Sequence, residues 1–124
     1  MSKTSQEQAV EIFREFAEQA AGDSVTVGLL PANGGIAVRI VTGRTEFISL
    51  NRLFRRRKIT LDVLSKHKNQ SQAYAALCAV GNGCEVQDFA PPVIGAQTKA
   101  EPNFVGKDGD FWIYSLSVEL LISI

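Results

Sequence analysis

A basic run between residues 52 and 58 is the most unusual local feature of this 124-residue sequence. Five of its seven positions are cationic and two are apolar. The residues that could make contacts are Arg52, Phe54, Arg55, Arg56, Arg57 and Lys58. Arginine forks pair with carboxylates or phosphates, and arginine beside an aromatic residue is typical of protein interfaces. The run therefore predicts a contact surface for a neighbouring subunit, another protein or DNA, with a solvated strand end as the alternative.

His67 is the single histidine of the chain and the first candidate for acid–base catalysis. It lies between Lys66 and Lys68, whose positive charges disfavour its protonation, and no nearby residue in the sequence offers a carboxylate to orient it. A Cys–His pair with Cys78 or Cys84 is formally possible, since residues far apart in sequence can meet. We expect a solvated loop histidine, and the apolar surroundings of Cys78 favour a buried structural thiol.

Metal and cofactor sites have no support in the spacing of possible ligands. Cys78 and Cys84 are six positions apart, which matches neither a CxxC pair nor a zinc half-site, so we expect two reduced thiols. Asp108 and Asp110 flank a glycine, but the further oxygen ligands of a calcium loop are absent, and a hairpin turn is the better interpretation. The glycines around residue 82 fit no phosphate-binding motif. We therefore expect no enzyme activity, no metal and no cofactor.

Composition and length indicate one ordinary globular domain over residues 1–124, with 45% hydrophobic and 21% charged residues. The formal net charge is zero, which excludes a globally basic nucleic-acid binder. The first residues contain no apolar stretch of the kind found in signal peptides, and no run approaches the length needed to span a membrane. We expect neither a membrane partner nor a small-molecule substrate.

Two helices are predicted from apolar residues repeating at intervals of three and four. The first covers residues 6–21, where a capping box of Thr4 with Glu7, or of Ser5 with Gln8, can start the helix and Gly22 can end it. The second begins near residues 69–71 and is predicted to break or fray at residues 81–83, which read Gly-Asn-Gly.

Alternating apolar residues predict about six strands. We place the first two at residues 25–29 and 36–40, joined as a hairpin. A turn at Gly43-Arg44 then leads to a third strand at residues 45–50, and the basic run is an extended excursion that leads into a strand at residues 59–66. Further strands are predicted at residues 93–100 and, after the Asp108-Gly109 turn, at residues 111–124. The even-numbered residues of the last strand are apolar, which is typical of a central strand. The fold class is α+β: an antiparallel or mixed sheet of about four to six strands with two helices on one face.

The second half of the chain contains three short motifs in a fixed order. Lys66 is followed by Asn69-Gln70 before a helix. The segment at residues 101–107 reads Glu-Pro-Asn-Phe-Val-Gly-Lys and, after the Asp-Gly turn, residues 112–115 read Trp-Ile-Tyr-Ser. A Lys-x-x-Asn/Asp-Gln step, a Pro-x-Phe-x-Gly segment, a hairpin turn and a Trp-x-Tyr-Ser strand resemble the pattern of the tail-terminator and minor-capsid proteins of long-tailed bacteriophages and prophages.

The resemblance implies a non-catalytic virion subunit that forms a ring, usually a hexamer, at the head-proximal end of the tail tube. Its partners would be copies of itself, the major tail tube protein and a head-completion or connector protein, with passing contact to DNA. It would be located in the virion, and in the host cytoplasm during assembly. The alternative from another class is a small nucleic-acid-binding or regulatory module that uses residues 52–58, whose DNA affinity would fall steeply with salt.

Overall fold

The computed structural model describes residues 4–47 and 55–123. Its elements are helix α1 (Ser5–Ala21), strands β1 (Val25–Val27), β2 (Gly35–Phe47) and β3 (Arg55–His67), helix α2 (Gln70–Cys84), and strands β4 (Val93–Thr98), β5 (Asn103–Asp108) and β6 (Phe111–Ser123). The six strands form one mixed sheet in the order β1-β2-β3-β6-β4, and β5 also pairs with β6. The predicted α+β class, with two helices on one face of the sheet, is confirmed.

Strand β6 lies at the centre of the sheet, as its alternation predicts. It pairs with β3 along one side, and with β4 and β5 in succession along the other. Its buried side chains form the middle of the core, and they are those of Tyr114, Leu116, Val118, Leu120 and Ile122. Because side chains alternate between the two faces of a strand, this one row determines which face the helices cover.

Helix α1 begins and ends at the residues that its sequence signals indicate. The Thr4 side chain accepts a hydrogen bond from the backbone N–H of Glu7 at 3.1 Å, and Gly22 ends the helix in the left-handed conformation with φ of 69°. The helix buries Phe13 against the sheet and α2, and the Phe89 ring packs beside it at 6.3 Å. Within the described residues, neither helix has the length and apolar character needed to cross a membrane.

The predicted hairpin between the first two strands is wrong, because β1 and β2 run parallel. The chain doubles back between them through a loop that contains Gly34, whose φ is 94° and whose N–H donates to the Pro31 carbonyl. Helix α1 holds β1 from its outer side: the Glu18 carboxylate accepts from the backbone N–H of Val25, and Arg14 donates to the Val25 carbonyl. These contacts satisfy the backbone groups of Val25 that face away from β2, at the edge of the sheet.

Two predicted breaks do not occur. Strand β2 continues through Gly43 and Arg44, with a register shift between Ile40 and Thr42 in place of a turn, and residues 48–50 lie outside the described residues. Helix α2 likewise continues through its glycines to Cys84. A Cβ on Gly81 would be 3.2 Å from Thr98 Cγ2, so this glycine lets α2 approach the sheet closely and does not end the helix.

Candidate assembly surfaces

The basic run belongs largely to the sheet. Residues 55–58 open β3 and pair in regular antiparallel register with residues 44–47 of β2, so the expected extended excursion is wrong for this part. Arg52 and Phe54 lie outside the described residues. The rest of the predicted contact set lies on a β-ribbon formed by β2 and β3, and its residues are Arg55, Arg56, Arg57 and Lys58.

The two described side chains of the run point to opposite faces of the sheet. Lys58 lies on the face without helices, with its Nζ 3.8 Å from Glu119 Oε1, in a shallow groove of about 340 Å³ that Leu121 also lines. Arg57 lies on the other face, and its Nε is buried without a hydrogen-bond partner among the described residues.

Apolar side chains are exposed on the same ribbon. Val38 is fully buried under the helices, whereas Ile40 is 56% exposed and Val41 is 52% exposed. The covering of β2 therefore ends between residues 38 and 40, whereas Leu61 and Ile59 on the paired strand β3 remain buried. Apolar residues next to a basic run are typical of a protein contact surface more than of a solvated strand end.

His67 is the last residue of β3 and is partly buried, so the expectation of a solvated loop histidine is wrong. Its Nε2 is 3.4 Å from Asp23 Oδ2, a carboxylate supplied by the turn after α1 that the sequence did not place nearby. The pair borders a shallow depression of about 380 Å³ whose lining includes Ala75, Ala76 and Ala79. Among the described residues that line this depression, none carries a hydroxyl or a thiol.

The cysteines are separate free thiols, as expected. Cys84 is buried at the end of α2, and burial raises its pKa to about 11. Cys78 is partly exposed one helical turn after Tyr74, and their hydrogen bond raises the pKa of the tyrosine. Within the described residues, no group of three or more His, Cys, Asp or Glu side chains could hold a metal ion.

Several residues of the resemblance motifs meet at one junction. The Lys66 ammonium pairs with Asp108 at 2.9 Å, and the Gln70 side-chain amide donates to the Tyr114 hydroxyl at 2.8 Å. These contacts join the end of β3 and the start of α2 to the β5–β6 hairpin, whose turn follows Asp108 as predicted. The Phe104 ring, on the outer strand β5, lies 5.7 Å from the Trp112 ring. These motif residues therefore stabilise the packing between elements of the fold.

Sequence reasoning missed two features that concern assembly. The first is a set of exposed apolar side chains, among which Val86 is 85% exposed and lies in the loop after α2. Periodicity cannot find such residues, because it does not tell where a helical layer ends. The second is an uneven distribution of charge along the chain. Counting the charged residues of separate segments would have found it. Residues 35–67 contain eight basic and two acidic side chains, and the rest of the chain contains five basic and eleven acidic.

No protein-family model and no curated protein matches this chain significantly. Among solved structures, it is similar to a chain of the structure described as the virion of native gene transfer agent (GTA) particle. The two chains are 16% identical, the match covers 87% of this chain and 84% of that chain, and the TM-score is 0.50. This chain therefore shares its fold with a component of that particle.

Proposed function

We propose that this protein is a structural subunit of a phage-like virion, and that it acts as a tail terminator. Copies of the chain form a ring, with six subunits as the expected number, on the head-proximal end of the tail tube. The ring stops further growth of the tube and presents a surface for head joining. The observation that carries this proposal is the shared fold with a chain of the gene transfer agent virion, along nearly the whole of both chains.

The described sites favour a role in binding other proteins over a role in catalysis. The described residues that line the depression beside His67 and Asp23 carry no hydroxyl or thiol, and the described thiols are a buried Cys84 and a Cys78 that interacts with a tyrosine. The β2–β3 ribbon instead combines positive charge with exposed apolar side chains. A subunit that meets the tube, its own copies and a connector needs surfaces of this kind on a rigid sheet.

The basic positions Arg52, Phe54, Arg55, Arg56, Arg57 and Lys58 are part of this proposal as the contact surface. In a closed ring they would face a neighbouring subunit, the tube or the lumen through which DNA passes. Positive charge on a short ribbon binds DNA weakly at physiological salt, because a few cations release few counterions. A protein contact is therefore the role that we assign to it.

The test is polymerisation of the major tail tube protein from the same virion genome, with and without this protein, followed by negative-stain microscopy. The proposal predicts shorter tubes that carry a ring-shaped cap at one end. Heat-denatured protein serves as the control. Tubes of unchanged length without caps, at a several-fold excess of folded protein, would contradict the proposal.

A further inference from the structure

The sheet has an open edge on each side. On one side, β1 pairs with β2 only at residues 36–38, so no described strand pairs with the outer edge of β2 over residues 39–47. On the other side, β4 ends the strand order, and its outer edge has no described partner either. An open strand edge presents a row of backbone N–H and C=O groups that can pair with a further strand.

Exposed apolar side chains are concentrated at these two edges. Nine large apolar side chains of the described residues are exposed, and seven of them belong to the edge strands or to the loop after β1. On the β2 side they are Val27, Leu29, Ile40 and Val41, and on the β4 side they are Ile94, Phe104 and Val105. Solvent-exposed edges are commonly blocked by charged residues or proline, and residues 93–98 contain neither. Both edges therefore have the character of a contact surface for another protein strand.

The ladder shows which strand fits the edge of β4. Strands β2 and β6 run in one direction, and β3 and β4 run in the other. A strand that continues this antiparallel order beyond β4 therefore has the direction of β2. The two open edges also lie at the same level of the sheet, because residues 93–98 of β4 are connected through β6 and β3 to residues 40–45 of β2. A second copy placed beside β4 in the same orientation thus presents the open part of its β2.

We infer that β4 of one subunit pairs with the outer edge of β2, at residues 39–47, of a second copy of this chain, so that the sheets of neighbouring subunits join. Pairing of like edges about a two-fold axis would leave the other edge of each copy open, whereas the β4–β2 contact uses both edges of every copy. Because the two edges differ, the contact is head-to-tail, and a head-to-tail contact that closes by rotation gives a ring. This inference rests on the proposed function and names the contact through which its ring forms.

Lysines placed on the two edges test the contact, because a charged side chain on an edge strand opposes pairing with another strand. The β2 variant combines Ile40→Lys with Val41→Lys, and the β4 variant is Ile94→Lys. All three side chains are exposed in the single chain, so the fold can accommodate the substitutions. Self-association is measured by sedimentation velocity, with the protein alone and mixed with the tail tube protein. We expect each variant to associate at least about tenfold more weakly than the unaltered protein.

An equimolar mixture of the two variants identifies which edges pair. The β2 variant keeps an intact β4, and the β4 variant keeps an intact β2. The mixture should therefore form a two-subunit complex that grows no further, and neither variant should form this complex alone. Two-subunit complexes in either variant alone would identify pairing of like edges and would overturn the inference.

Val86→Lys is the matched control, because Val86 is an exposed apolar residue outside both edges, and this variant should associate like the unaltered protein. Circular dichroism melts check that each variant is folded. Rings that form equally well in both edge variants would overturn this inference, and capping of tubes by those rings would leave the proposed function standing. Loss of binding to the tube protein with self-association unchanged would identify that protein as the occupant and overturn the inference as well. Absence of association in the unaltered protein, even with tube protein present, would overturn both the inference and the proposed function.

Discussion

At the scale of single residues, several short polar side-chain contacts join one element to another. Lys66 and Asp108 join β3 to the β5–β6 hairpin, and the Ser65 hydroxyl donates to the Ala73 carbonyl at 2.8 Å to hold α2 on the sheet. Ser65 and Lys66 are buried, so their polar atoms require these partners. Ser65 and Lys66 are neighbours on β3, and they connect the two faces of the sheet to different elements: Ser65 to α2 and Lys66 to the β5–β6 hairpin.

The contact between His67 and Asp23 also joins two parts of the chain. A partly exposed contact between a histidine and a carboxylate contributes from zero to about 1 kcal/mol. We therefore expect His67→Ala to lower the free energy of unfolding by less than about 1 kcal/mol, and to leave tube capping unchanged. Urea unfolding and the tube-length assay measure the two effects. Asp23→Ala is the matched control, and loss of capping in both folded variants would show that the pair has a direct role in assembly.

Cys84 gives a prediction on pH. Its ordinary pKa of 9.0 is raised to about 11 by burial, so the folded state favours the protonated thiol. The corresponding stability is complete below pH 9 and is lost as the pH rises from 9 towards 11. We expect the wild type to lose on the order of 1 kcal/mol more than Cys84→Ala between pH 8 and pH 10.5. Urea unfolding at both pH values measures this, and equal losses in the two proteins would contradict a buried thiol.

At the scale of elements, the loop before β2 depends on one glycine. A Cβ on Gly34 would lie 2.8 Å from the Lys66 carbonyl oxygen, and its φ of 94° is one that other residues rarely adopt. We expect Gly34→Ala to cost about 2 kcal/mol, because both the contact and the backbone conformation become strained. Gly95→Ala is the control, since nothing lies within 4 Å of its added Cβ. Chemical denaturation of both variants tests this, and equal midpoints would show that the loop tolerates a side chain.

Elements with strong local signals could be predicted from the sequence. Helix α1 has a capping residue, an amphipathic repeat and Gly22, and β6 alternates between buried and partly buried residues from Tyr114 to Ile122. The missed features depend on contacts distant in sequence. Gly81 looks like a helix breaker until Thr98 and Leu116 are packed against it, and β1 looks like half of a hairpin until its parallel register with β2 is seen. Local propensity does not contain these contacts.

The sequence shows which residues form the candidate contact surface, but it does not show how they are arranged. The basic run is visible in the printed sequence, yet only the ladder shows that residues 55–58 lie on a regular ribbon with β2. The exposure of Ile40 follows from where the helices stop, which depends on how α1 and α2 pack over the sheet. The carboxylate that meets His67 comes from Asp23, more than forty residues earlier in the chain, and its approach is likewise a tertiary contact.

At the scale of the whole molecule, one sheet contains both the strands that are covered by the helices and the β2–β3 ribbon. The long ladders of β3 with β2 and β6 extend over the core and continue into the ribbon. A ring of identical copies requires two different surfaces on each subunit. A contact made by the basic residues of the ribbon should weaken as salt rises, because charged groups at a surface are screened.

The most direct test is the molar mass of the protein measured by size-exclusion chromatography with light scattering, alone and mixed with its tail tube protein, over a range of concentrations. We expect the chain to form one closed oligomer, at least when it is mixed with the tube protein. The number of subunits in this oligomer should not grow with concentration. A protein that remains strictly monomeric and unbound in the presence of tube protein would contradict the account.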